Sequence, residues 1–183
     1  MPNIDMHHHI IVPEAEVIAA KERGRRPHHA NLFENFFPPI SLEYNLKMSK
    51  EKWGEQMRSV DRKRQDMKDD RLEMALASPA PPFFYYWITG PKGKEVTRIL
   101  NDGVAAFCKE NSKDFRGLAS LPFQNGGRAA ALELERAMGM GLLGTIVGES
   151  IQGQALDEPQ FEEFWEAAER LGAALSSRTT NQM

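Results

Sequence analysis

Apolar residues along this chain alternate between short runs and helical stripes. Ile4 to Ile11 reads as a short strand running into Pro13. The stretch from Glu14 to Ser49 is polar and rich in basic residues, His, Asn and Pro, and it reads as an irregular insertion with room for a short helix. Lys50 to Asp70 sets Trp53, Met57, Val60 and Met67 at helical spacing. Leu72 to Ala77 is a compact apolar run stopped by Ser78-Pro79, the pattern of a buried strand with a loop at its C-terminal end. Beyond the aromatic segment Pro82 to Trp87, Glu95 to Asn111 carries the clearest stripe, made of Val96, Ile99, Leu100, Val104, Phe107 and Cys108. Phe115 to Pro122 is a strand stopped by proline. Arg128 to Met138 is a helix with Ala131, Leu134 and Met138 inward, and Leu142 to Val147 is a β-rich run ended by Gly148. Asp157, with Gln160 three residues on, predicts an N-cap. The helix it would open buries Phe161, Phe164, Trp165, Ala168 and Leu171 and ends at Gly172. Ala173-Ala174-Leu175 starts another strand.

Strands alternating with helices predict an α/β fold on a parallel sheet. The last strand-to-strand intervals, about 25–30 residues, are the size of a βα unit. A doubly wound open sheet and part of a (β/α) barrel both fit. No Gly-x-Gly-x-x-Gly follows the first strand, and no P-loop lysine follows Gly126-Gly127, so both nucleotide fingerprints are missing. Composition narrows the classes further. The chain has 183 residues, 41% of them apolar, and a net charge of −3, which suits one domain with a real core and gives no footprint for nucleic acid or an acidic membrane surface. Its apolar runs are too short and too rich in proline to span a bilayer, and no charged leader precedes an apolar signal core. A single cysteine, Cys108, excludes an internal disulfide and fits a reducing cytoplasm; its place on an apolar stripe marks it as a structural thiol.

The residues with chemistry stand at the start. His7 and His9 are two apart on a predicted strand, so they share a face. At the C-terminal end of a first barrel strand both imidazoles would point into the barrel mouth, where neutral ring nitrogens can hold one divalent cation. His8 would face the strand–helix layer. Asp5 would lie on the face of the pair, one layer deeper, where a carboxylate can orient a histidine. The plainer reading, a surface run of three histidines or a tag remnant, sits poorly with the flanking Ile4, Ile10 and Ile11. His28 and His29 fall in the polar stretch and read as solvated. Phe84 and Tyr86, after the second strand, are placed either to stack on a flat substrate or to plug the rim as packing. Arg62-Lys63-Arg64 reads as a solvated helix face rather than a carboxylate clamp.

Ile4-Asp5-Met6-His7-His8-His9-Ile10-Ile11-Val12-Pro13 resembles the opening of the amidohydrolase-related family, in particular its branch of metal-dependent decarboxylases of the aminocarboxymuconate-semialdehyde type. The resemblance continues through Leu76-Ala77-Ser78-Pro79 with Phe84 to Trp87, Leu100-Asn101-Asp102, and Phe115 to Gln124. It runs on through Leu143 to Gly148 and Phe164 to Leu171. It implies about five strands forming the N-terminal part of a distorted (β/α)8 TIM barrel over residues 1–175, with 14–49 inserted after the first strand. It also implies a divalent metal, zinc or manganese, on His7 and His9. The implied activity is decarboxylation, or alternatively hydrolysis, of a small carboxylated compound that is aromatic or unsaturated.

Residues 176–183 depart from the family pattern. There the fifth strand should continue with an apolar pair and a His-Pro that supplies the next metal ligand, yet the chain holds no histidine after His29. The later histidine and aspartate of the family, which complete the metal shell and act as acid or base, are absent too. A change of reading frame near Leu175 would account for the switch, and translating the downstream DNA in the other frames tests it. Five strands would leave two open sheet edges, so association through an edge, a homo-oligomer, or a half-barrel that only binds or assembles is the third expectation.

Overall fold

The computed structural model describes residues 2–25 and 39–178. Five parallel strands appear in chain order: β1 (Ile4–Ile10), β2 (Met74–Pro79), β3 (Phe115–Gly117), β4 (Gly144–Gly148) and, after a small hairpin, β7 (Ala174–Arg178). β1, β2 and β3 form one sheet and β4 pairs with β7. A parallel bridge between Ala119 and Thr145, with Ala119 N–H donating to Gly144 O at 2.9 Å, carries the order from β3 to β4. The helices α5 (Gly90–Glu110), α6 (Gly127–Gly139) and α7 (Glu162–Leu171) make the crossovers. Parallel strands bound by covering helices read as near-continuous apolar runs, and β2 and β4 are buried along almost their whole length.

The segment expected to be irregular is largely helical where it is described. α1 (Pro13–Arg25) and α2 (Pro39–Met48) occupy it, and a π-helical stretch, Ser49–Trp53, joins α2 to α3 (Gly54–Arg58). The periodicity of α1 was hard to read because its buried positions, Ala15 and Ala19, are small. His28 and His29 lie outside the described residues. The single helix expected over Lys50 to Asp70 is broken at Ser59, whose backbone is extended at ψ 117. Ser59 Oγ accepts from Arg62 N at 3.2 Å, capping a new helix, α4 (Val60–Asp69). A second correction concerns Asp157: α7 opens after a 3-10 turn at Pro159–Phe161, with no side-chain cap. Trp165, expected inside, is 37% exposed and donates from Nε1 to Leu156 O at 2.8 Å. The hairpin β5 (Ser150–Ile151) and β6 (Gln154–Ala155) went unread, although Gln152-Gly153 supplies the two positive φ angles, 53° and 83°, that a tight turn needs. The last strand runs on through Ser176, Ser177 and Arg178, in register with Ile146, Val147 and Gly148.

Between sheet and helices Phe123 sits edge-on to Phe164 at 4.7 Å and to Phe161 at 5.8 Å, pinning α7 to the loop after β3. A buried polar network ties α5 to α6. Asn101 donates from Nδ2 to Ser120 O at 2.8 Å and to Glu133 Oε1 at 2.7 Å, and accepts Ser120 N–H at 2.9 Å. Arg136 then grips Glu133 through Nε (2.9 Å) and Nη2 (2.7 Å). The Asn101 amide, the Ser120 backbone groups and the Glu133 carboxylate are thereby all paired, and such pairing is what makes a buried network stabilising. Asn101→Leu would strand the Ser120 backbone groups in an apolar layer and leave the Glu133 carboxylate held by Arg136 alone. It is expected to lower unfolding stability by about 2–4 kcal/mol, read as a shift in the urea midpoint. A midpoint within experimental error of the parent would show that the network contributes nothing.

Candidate metal centre

β1 is not a regular strand. Asp5 pairs with Ala75 and His8 with Ala77, so three steps on β1 oppose two on β2. The extra residue is a β-bulge, and it reverses the alternation on which the sequence reading depends. Asp5 is thereby turned to the side of His8. Its Oδ2 lies 3.0 Å from His8 Nδ1 and its Oδ1 accepts His7 N–H at 2.8 Å. The carboxylate therefore orients His8 and the His7 backbone, and the rings of His7 and His9 are oriented by other groups.

Beyond the bulge the two-residue spacing holds. His7 and His9 meet edge to face with ring centroids 4.6 Å apart, and their Nε2 atoms are 2.8 Å apart. Two nitrogens at that separation can both sit about 2.1 Å from one cation, with an angle of about 85° at the ion, the angle of neighbouring ligands in five- or six-fold coordination. His9 Nδ1 lies 3.4 Å from Ser78 O and 3.3 Å from Ser78 Oγ. A proton on Nδ1 directed at Ser78 leaves the His9 Nε2 lone pair to accept from His7 Nε2–H at 2.8 Å, and that lone pair is the one a metal-binding histidine offers to a cation. Burial, with His7 next to it, lowers the His9 pKa to about 4. Burial also lowers His7, helped by the positive charge of Arg178. Both rings are thus kept neutral, as ligands must be. The donor chemistry fits a divalent cation for two ligands. Among the described residues, no cluster of three His, Cys, Asp or Glu side chains stands ready for an ion. At the end of β7, where the resemblance puts the next histidine, stands Arg178.

His8 turns into the layer between strand and helix, with its ring 5.5 Å from Phe115. There it meets Lys63, which the sequence placed on a solvated face. Only Arg62 and Arg64 stay at the surface, paired with Asp66 and Asp114. Lys63 is 2% exposed, and its Nζ donates to His9 O at 2.5 Å and reaches His8 Nε2 at 3.2 Å. Because an ammonium only donates, His8 accepts at Nε2 and carries its proton on Nδ1, toward Asp5. Burial lowers the Lys63 pKa to about 8. The cue that could have found Lys63 was its place four residues before the buried Met67, on the same helix face.

A cavity of about 400 Å³ opens beside the histidines. Trp53, Met57, Pro81 and Phe83 make its apolar walls, with Gln56 and Lys63 among its polar ones. The sequence set Trp53 and Met57 at helical spacing with Val60 and Met67; the break at Ser59 separates the two pairs, and Trp53, at the end of the π-helical stretch, and Met57 of α3 line the cavity. Phe84 and Tyr86 are 0% exposed. They stack at 5.4 Å, and Tyr86 packs on Phe123 at 6.4 Å. Neither lines the cavity, and the turn presents Phe83 instead.

The amidohydrolase family model matches residues 4–180. Over 112 residues the chain is 34% identical to the 2-amino-3-carboxymuconate-6-semialdehyde decarboxylase of Dictyostelium discoideum, a match covering 61% of this chain and 31% of the relative. A 5-carboxyvanillate decarboxylase of Novosphingobium aromaticivorans, solved with manganese and 4-hydroxy-3-methoxy-5-nitrobenzoic acid, superposes with a TM-score of 0.78 at 18% identity, covering 100% of this chain and 52% of the other. The 5-carboxyvanillate decarboxylase of Sphingomonas paucimobilis gives 0.72 at 22% identity, covering 95% of this chain and 50% of the other. The likeness establishes a shared α/β fold, and the chain spans about a third to a half of these relatives' length.

The depressed His9 pKa has a measurable consequence. An unfolded histidine titrates near 6.5, so between about 6.5 and 4 the unfolded chain holds a proton that the folded His9 does not. The contribution of His9 is present above about pH 6.5 and is lost as pH falls through about 4, at no more than about 1.4 kcal/mol per pH unit. Urea unfolding from about pH 7 down to about pH 4 is expected to give a steeper stability slope for the parent than for His9→Asn. Parallel slopes would contradict the assignment.

Proposed function

Since the chain belongs to the amidohydrolase family, we propose that it serves a metal-dependent carboxy-lyase acting on a small carboxylated compound, aromatic or unsaturated, with His7 and His9 as two of the metal ligands. The observation that carries this reading is the convergence of their Nε2 atoms, 2.8 Å apart, at the edge of a cavity of about 400 Å³. In this reading β1 to β4 and β7 are the N-terminal arc of a distorted (β/α)8 barrel, its last strand running past residue 175 to Arg178, with the site at the C-terminal strand ends. A divalent cation held there, zinc or manganese, would polarise a carboxylate or carbonyl oxygen and stabilise the charge that develops as carbon dioxide leaves.

The chain's own groups orient the two ligands and shape the cavity beside them. Ser78 accepts from His9 and keeps its ring in the ligating tautomer. Trp53, Met57 and Phe83 exclude water and offer flat apolar surface to a ring. Phe84 and Tyr86 serve substrate binding from beneath, by fixing the turn that sets Phe83 on the wall. Asp5 acts one layer behind, through the His7 backbone. The lone, half-buried Cys108, its pKa raised to about 11 by burial, is a structural thiol away from the reacting groups. Among the described residues no helix is long and apolar enough to cross a membrane. The decarboxylase names of the relatives favour carbon dioxide release over hydrolysis within the family. A second reading, a non-catalytic piece that binds or assembles, is favoured by the Arg178 charge acting on both histidines.

Metal content after purification, with zinc and manganese supplied, separates the readings. The parent is expected to carry stoichiometric metal that His7→Ala/His9→Ala loses, and carbon dioxide release from carboxylated hydroxybenzoates is the outcome that marks the lyase. Ester or lactone cleavage without carbon dioxide would replace the lyase by a hydrolase. No metal in either protein would remove both enzymatic readings.

A further inference from the structure

We propose that Lys63 is the positioning residue of the metal centre, setting the spacing of His7 and His9 by holding both of their backbones from one buried ammonium. This rests on the reading of His7 and His9 as ligands. Toward His9 the grip is direct, since Nζ donates to His9 O at 2.5 Å. Toward His7 it runs through two side chains: Nζ to His8 Nε2 at 3.2 Å, His8 Nδ1 to Asp5 Oδ2 at 3.0 Å, and Asp5 Oδ1 to His7 N at 2.8 Å. The relay closes around the bulge, so the irregular residues of β1 are the ones it fixes.

Two observations argue that this is more than packing. Lysine is rarely buried, because desolvating an ammonium is penalised unless several acceptors replace water. Lys63 is 2% exposed, and its hydrogen-bond acceptors are the His9 carbonyl and the His8 ring, both on the ligand-bearing strand. The flanking Arg62 and Arg64 bind carboxylates at the surface instead, so the helix supplies a single inward cation. Secondly, the two ring nitrogens must share one ion, and a shift of about half an ångström between their backbones takes a site out of its working geometry. A bulged strand alone does not hold such a tolerance, because the bulge interrupts its ladder.

The test is a cobalt(II) titration of the full chain, followed by visible absorption and by calorimetry. The parent is compared with Lys63→Met, Lys63→Arg and the surface control Arg62→Met, each checked for folding by near-ultraviolet circular dichroism. Lys63→Met is expected to weaken cobalt(II) binding at least tenfold and to alter the ligand-field bands. Lys63→Arg, which keeps an inward donor, is expected to recover most of the affinity, and Arg62→Met to match the parent. A folded Lys63→Met with the parent's affinity and spectrum overturns the proposal. Asp5→Asn cuts the same relay at its far end and decides the matter if Lys63→Met does not fold: tenfold weaker binding supports the proposal, unchanged binding overturns it. If the parent binds no cobalt(II), or His7→Ala/His9→Ala binds it equally well, the metal reading itself fails and the positioning role falls with it. Only parent-like binding in the relay variants strikes the Lys63 proposal alone.

Discussion

Three consecutive imidazoles cannot all face one way on a strand, and the way β1 accommodates them shapes the rest of the site. Alternation would send His7 and His9 to one side and leave His8 alone against the helical layer. A neutral imidazole buried without partners is penalised by the loss of its water hydrogen bonds. The bulge supplies one partner by swinging Asp5 across, and α4 supplies the other through Lys63. With His8 satisfied on both nitrogens, the strand can bring the outer two rings together. The pairing of His9 with Ser78 across the β1–β2 ladder then fixes the tautomer of the His9 ring.

Parallel pairing explains why these groups meet at all. All five long strands run the same way, so the ends of β1 and β2 and the turn after β2 lie at one edge of the sheet. His7 and His9, Ser78 and Phe83 come from segments about seventy residues apart in the chain and are neighbours only because of this direction. The Asn101–Glu133–Arg136 network does for the helical layer what the relay does for β1. It holds α5 and α6 in one registration, and with them the chain leaving β3 at Ser120.

Much of the framework was legible in the sequence because large apolar residues mark it. The stripe Val96, Leu100, Val104 and the runs of β2 and β4 announce themselves by period and by β-branched or small residues. The histidine pair was legible from spacing alone. What escaped has physical causes. Alternation reads strand faces only where the ladder is regular, so Asp5 was placed on the wrong partner. Charge patterns say nothing of which one of three basic residues turns inward, so Lys63 was read with its neighbours. The break at Ser59 hid in an otherwise helical stripe, and with it the contribution of Trp53 and Met57 to the cavity. Phe84 and Tyr86 illustrate the limit of reading loops by composition. An aromatic run offers rings to both sides of a turn, and the positive φ of Tyr85, 56°, is one of the angles that decides which rings go inward.

The pairing of β1 with β2 alone has a kinetic meaning as well. Ile4 meets Met74, whereas Gly144 meets Ala174 and Ala75 meets Phe115 at far shorter separations. Loop-closure entropy grows with the logarithm of the enclosed length, so docking β1 is disfavoured by about 0.7 kcal/mol more than docking β7. Contacts that span less chain form first in a search limited by loop closure. On loop-closure entropy alone, the strand that carries the histidines is expected to dock last of the five, onto a sheet already built to receive it.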